Sequence, residues 1–287
     1  MHLLMILMAL AIALGLRQGN LNSQKSPKPS LTNLEQRWRS GIIALVAPAL
    51  LLLTTAVAVL SMGAQGQMVW QGTGLASYLI SWLFLLSALI CLIHQALQLW
   101  RTVAQLHRYP QTEVLGYPCR IIDDTGLFTA QVGGWKPELT ITQGLLDHLD
   151  GDRLAAVLAH EDGHRVYRDT FWFFWLGICY RLTLWLPQSE QLWQDLLLLR
   201  EIRADAWAAQ QVDELLLAES LLDVVRAPLR STASFEAAFS CTAPPSRLEQ
   251  RIEALLCGIH PGLHFGWQGV LQLAWVLLPL TIIPFHH

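Results

Sequence analysis

Apolar positions in this chain fall into long unbroken runs rather than short alternating segments. Two of them, Gly41 to Met62 and Ser77 to Trp100, each offer the roughly 20 apolar residues that a helix needs to cross a bilayer. A third, Trp267 to Phe285, is nearly as long, with Pro279 and Pro284 towards its end. The opening run, Leu3 to Leu16, is shorter. No positive segment precedes it and no clear cleavage site ends it, so it reads as a short first span, with a cleaved signal peptide as the alternative. The pattern between residues 101 and 266 differs: polar and apolar positions mix there as in a folded domain.

Inside that domain, LDGDRLAAVLAHEDGHRVYR predicts a helix capped at Asp150 or Asp152. LLLLREIRADAWAAQQ, 196–211, predicts a second helix. The stretch FWFFWLGICYRLTLWLP, 171–187, falls between these two helices. Its length lies between a span and an interfacial segment, and its leading aromatic residues suit the headgroup region.

Composition sharpens this picture. Only 14% of the 287 residues are charged, against roughly 25% in ordinary globular domains. The deficit is concentrated in the apolar runs, which points to a membrane protein with the lipid bilayer as a partner. A net charge of −3 and the lack of any basic helix exclude a nucleic-acid binder. The five cysteines have no Cys-x-x-Cys spacing, so neither a disulfide framework nor a cysteine metal site is indicated. Orientation follows from the loops. Arg17, Lys25, Lys28, Arg37 and Arg39 crowd 17–40, while the segment 63–76 carries no charge. The positive-inside bias places 17–40, and with it 101–266, in the cytoplasm.

The candidate chemistry lies in AHEDGHRVYRD, 159–169. At about 100° per residue, His160 and His164 stand one turn apart on a single helix face, about 40° from each other. Two imidazoles so placed can bind one zinc ion and leave a position for water. Glu161 lies about 80° from their mean direction, where its carboxylate can act as a general base beside the metal. Asp162 points about 180° away, off the site. A third ligand is needed. Glu201 is the best candidate, sharing a small-residue face with Asp205 one turn on. The alternative for that face is a solvated surface with Arg200 and Arg203 as ion-pair partners. Arg203 and His148 are candidates for stabilising the transition state.

These motifs, in this order, resemble the BlaR/MecR-type integral-membrane zinc metallopeptidases, gluzincins related to the HtpX and CAAX prenyl protease group. The resemblance runs from about Gly116 to Leu256. GGWKPELTITQGLLDHLDGDRLAAVLAHEDGH is similar to the family's edge strand, turn and active-site helix, and Arg-x-x-Arg-Asp at 165–169 to that branch's continuation. Glu-x-x-x-Asp at 201–205 is similar to its second metal motif, and PPSRLEQRIEALL to its closing helix. The resemblance implies that His160, His164 and Glu201 hold one Zn2+, that Glu161 is the base, and that Asp205 orients a ligand histidine. It also implies that the strand near Leu139–Thr142 takes the substrate backbone as an added strand. One departure is Asp162-Gly163, where the family has an apolar pair; a mid-helix Gly costs about 1 kcal/mol relative to Ala. Another is the missing external penicillin-sensing domain, without which a β-lactam sensor is not expected.

The sequence thus predicts a mainly α fold: multi-pass membrane helices with a cytoplasmic α+β gluzincin-like zinc peptidase domain. Residues 1–100 hold three spans (about 3–16, 41–62, 77–100) and the basic loop 17–40. Residues 101–266 form the peptidase domain, and 267–287 a final span and short tail. Because His160 and His164 precede 171–187 and Glu201 follows it, that stretch cannot be a single crossing; it lies in the interface, turns back, or folds into the domain. The expected function is a membrane-embedded zinc endopeptidase acting on a membrane-associated or cytoplasmic protein, with partner signalling proteins, in the cell membrane (for a bacterium, the inner membrane). The competing reading is a catalytically silent, zinc-stabilised membrane scaffold. A transporter is disfavoured, since the spans hold almost no charged residue to mark a pathway.

Overall fold

The computed structural model describes residues 2–20, 31–63, 71–226, 247–258 and 267–285. The chain is mainly helical with one small sheet. Its first three helices are α1 (His2–Asn20), α2 (Leu31–Met62) and α3 (Gln71–Leu106). Two of these contain stretches long and apolar enough to cross a membrane, Leu34–Met62 and Gly74–Leu106. They differ in what surrounds them. Of the most apolar window, 67% is buried in α2 and only 11% in α3. The central helix is therefore α2, against which α1, α3 and the later helices Asp169–Leu182 and Ser189–Ala208 pack, and the apolar side chains of α3 stand outward.

Both long helices extend past the apolar runs that predict them. Because α2 begins at Leu31, Arg37 and Arg39 belong to a helix rather than to a loop. Lys25 and Lys28 lie outside the described residues, as does half of the uncharged segment 63–76. The expected last span is not one helix. Residues 267–285 form a short helix α10 (Trp267–Leu273), a 3-10 turn, the single-turn α11 (Leu278–Thr281) and a second 3-10 turn. Proline has no amide hydrogen and suits the first turn of a helix, so Pro279 opens α11 instead of continuing α10.

The sheet follows α3: β1 (Gln111–Val114), β2 (Tyr117–Ile122), β3 (Thr129–Val132) and β4 (Glu138–Thr142). Leu115 and Gly116 both have positive φ, 50° and 85°, the geometry of a tight β1–β2 hairpin turn. The strand order is β1-β2-β4-β3, with β4 parallel to β2 and antiparallel to β3. This corrects the expectation for Leu139–Thr142. It is an interior strand with both edges paired, and the edges of the sheet are β1 and β3. Apart from the half-buried Glu138, β4 is buried throughout, as an interior strand requires.

From β4 the chain enters α4 (Gln143–His148) and then α5 (Gly151–Val166), whose N-cap Asp150 accepts a hydrogen bond from Arg153 N at 2.9 Å. Leu139 and Ile141 of the sheet, Leu145 of α4, and Leu154 and Leu158 of α5 make one apolar cluster that fixes α5 against the sheet. Beyond α5 come α6 (Asp169–Leu182), α7 (Ser189–Ala208), α8 (Glu214–Arg226) and α9 (Leu248–Leu256). The apolar stretch 171–187 is thus mostly α6. Its Phe173 and Leu176 pack with Trp38 and Ile42 of α2 and with Leu192 to Leu199 of α7. The chain then reverses, with Ser189 Oγ donating to Thr183 O (2.6 Å) and Leu186 O (2.9 Å).

Candidate metal centre

His160, Glu161 and His164 project from α5 and are 6, 7 and 9% exposed. The imidazole centroids lie 4.9 Å apart with planes at 88°, as the i, i+4 spacing predicts. Across from them, α7 supplies Glu201, 5% exposed. Its Oε2 lies 3.4 Å from His160 Nε2 and its Oε1 3.7 Å from His164 Nε2. One ligand atom from each of the three residues falls within 4.8 Å of the others. The face carrying Glu201 and Asp205 is therefore buried, and the solvated-surface reading fails there.

The far nitrogens of both rings meet carboxylates. His164 Nδ1 and Asp169 Oδ2 are 2.8 Å apart and hydrogen-bonded. His160 Nδ1 lies 2.8 Å from Asp205 Oδ1, a short contact off the line of an ideal hydrogen bond. Carboxylates in these positions favour the Nδ1–H tautomer and turn both Nε2 lone pairs toward Glu201. The donor set, two imidazole nitrogens and one carboxylate oxygen from buried residues, fits zinc, whose tetrahedral sites take one ligand more than these three supply.

Arginines hold this acidic cluster together. Arg251 of α9 donates from Nε and Nη2 to the two oxygens of Asp205 at 2.8 and 2.7 Å, and its Nη1 lies 3.4 Å from Glu201 Oε2. Arg200 donates to Glu201 Oε1 from Nε (3.0 Å) and Nη2 (2.7 Å). Arg203 donates to Asp169, with its guanidinium 4.7 Å from the Trp38 ring centroid and 4.2 Å from that of Tyr167. Burial works against ionising Glu201, yet Arg200, both histidines and Arg251 hold its carboxyl well below the usual range. Asp205 is lowered in the same way, with Arg251 outweighing burial. For His160, burial favours the neutral ring, but Asp205 and Glu201 outweigh it and raise the group to about 9. The carboxylates beside His160 thus favour positive charge on that ring.

Glu161 differs from the other acids. No described residue hydrogen-bonds its carboxylate, although its charge contributes to the raised pKa of Arg251. Asp162 turns away as expected, accepting from Arg165 Nε (2.8 Å) and Trp207 Nε1 (3.1 Å). His148 is exposed at the end of α4, and Arg203 is committed to Asp169.

Two partners escaped the sequence reading. Asp169 sits just past the end of α5, and Arg168, at φ 54°, makes the left-handed turn that brings it back under His164. Arg251 lies on the closing helix, where nothing in the local pattern separates it from a surface arginine. By helix propensity alone, Gly163 is a cost to α5. The structure supplies its reason. A Cβ there would stand 3.1 Å from Ala204 Cα and 3.3 Å from Ala204 O. Gly163 thus sets how closely α5 and α7 approach, and with it the reach from the histidines to Glu201. Gly163→Ala should lower the thermal transition and weaken metal binding despite its roughly 1 kcal/mol gain in helix propensity. Gly163→Val should cost more, in the range of about 1–3 kcal/mol usual for overpacking. Thermal unfolding of the detergent-solubilised protein checks this; a higher transition for the Ala variant would show that the approach is not tight.

No curated protein and no solved structure matches the chain. A family model does, over a segment that holds the sheet, both histidines, Glu161 and Asp169, and that ends before Glu201. The match speaks for a metallopeptidase and is silent on the BlaR/MecR branch. Residues 93–186 match Peptidase family M48, and with the buried His160–His164–Glu201 cluster this supports a metallopeptidase of that family.

Proposed function

We propose that the chain is a membrane-embedded, zinc-dependent endopeptidase that cleaves a membrane-associated or cytoplasmic protein in a regulatory circuit. In this reading α2 and α3 cross the bilayer and the domain carrying the site faces the cytoplasm. His160, His164 and Glu201 hold the zinc. Zinc held there would supply Lewis acidity and lower the pKa of water to about 7. Asp205 and Asp169 keep the two rings in the required tautomer, Arg251 anchors Asp205, and Arg203 anchors Asp169. Glu161 accepts a proton from water and returns it to the leaving amine. The edge strand β3, rather than β4, offers unpaired backbone to an extended substrate.

The observation that carries this reading is Glu161, a buried carboxylate beside two imidazoles that no described residue holds by a hydrogen bond. A scaffold has no use for such a group, and structural zinc sites are closed by four protein ligands. The test is metal content. Purified wild-type protein should hold one equivalent of zinc, and Glu201→Ala should lose most of it under mild chelation. If Glu201→Ala keeps a full equivalent as tightly as wild type, the site is assigned wrongly. A reporter fused after residue 150 should be active only in the cytoplasm; external activity would overturn the orientation.

A further inference from the structure

A cavity of about 1020 Å3 lies between α2, α3 and α6, at the upper end of the roughly 300–1,000 Å3 of small-molecule sites. Its walls are apolar, among them Leu50 and Leu53 of α2, Leu89 and Leu92 of α3, and Leu176 of α6. One end is different. Arg168 lines it, and its guanidinium stacks 3.8 Å above the ring of Trp135. The neighbouring carboxylates are engaged elsewhere: Asp169 with His164 and Arg203, Asp162 with Arg165. Among the described residues Arg168 has no ion-pair partner. Trp135, Trp172 and Trp175 around it are 51, 55 and 46% exposed. Exposed indoles beside a cation, above an apolar trench, are the chemistry of the headgroup level of a bilayer.

We propose that this groove binds an anionic phospholipid, its acyl chain between α2 and α3 and its phosphate on Arg168. Charge complementarity selects the anion: a zwitterionic headgroup brings its own cation to a site that already has one. The inference rests on the membrane-embedded reading above, and not on the peptidase chemistry. It also links lipid to metal, because Arg203 lines the same groove and holds Asp169 against His164.

The test uses the full chain, delipidated in neutral detergent and incubated with phosphatidylglycerol or phosphatidylcholine of identical acyl chains. Native mass spectrometry counts the lipid retained. Wild type should keep one phosphatidylglycerol per chain with a preference of about ten-fold or more, the scale of one charge-assisted hydrogen bond. Arg168→Gln, at an exposed position, should bring the two lipids to parity. Leu89→Trp, which fills the groove from the exposed face of α3, should lose both, with its circular dichroism unchanged. Equal retention of both lipids by wild type, or an undiminished preference in Arg168→Gln, would overturn the proposal. So would retention of phosphatidylglycerol by Leu89→Trp, which would place the chain elsewhere. Glu161→Gln should bind lipid as wild type does, so failure of the peptidase reading and failure of this one are told apart.

Discussion

Glu161→Gln should retain its zinc and lose cleavage by about 10²–10⁴-fold, the usual scale for a missing general base. The substitution is nearly isosteric, and no hydrogen bond from a described residue is broken, so the fold should be little changed. Both imidazoles and Glu201 remain to hold the ion. A carboxamide cannot take a proton from water, and that is the whole of the expected loss. His160→Ala is the control that separates the roles. It removes a ligand, so zinc and local order should go together. Bound zinc and cleavage of a candidate substrate, measured on all three forms at matched expression, decide the matter. Undiminished cleavage by Glu161→Gln with its zinc in place would return the chain to the scaffold reading.

Arg251→Met should destabilise the protein by about 3–5 kcal/mol, the cost of leaving buried charge uncompensated. Asp205 is 1% exposed and Glu201 5%, so water cannot replace the guanidinium. The lost bonds tie α9 to α7, and α9 should detach early in denaturation. The shape of the side chain matters less than its charge. Combining Arg251→Met with Asp205→Asn should therefore recover part of the loss, since one of the orphaned charges is then gone. Denaturant titration of the two single variants and the double variant reads this as a coupling energy. Simple additivity would mean that the pair is incidental.

Much of this was legible because it is local. Run length alone locates α2 and α3. The i, i+4 spacing places His160 and His164 on one face, and the same spacing brings Glu201 and Asp205 together. Contacts between distant segments were not legible. Arg251 meets Asp205, and Arg203 meets Asp169, through tertiary packing that no window of sequence contains. Gly163 shows how a local rule misleads: its propensity cost is real, yet the space it leaves is what α7 occupies. The edge strand was misplaced for a related reason. Order along the chain does not give order across a sheet, and the β3–β4 hairpin sets β4 inside by pairing it in parallel with β2.

The contact of Arg203 with Trp38 has a consequence for how the protein matures. Ribosomal synthesis delivers α5, with its two histidines and Glu161, before α7 carries Glu201 out. Glu201 then reaches the histidines as α7 packs against α5 and against α2, which shares one apolar cluster with α6 and α7. Until α7 has packed, the nascent chain holds His160, Glu161 and His164 without Glu201 opposite them. In the proposed reading, packing of α2 against α7 thus precedes any cleavage. A fragment starting at residue 101 lacks Trp38 and the rest of α2, so it should remain inert even when supplied with zinc.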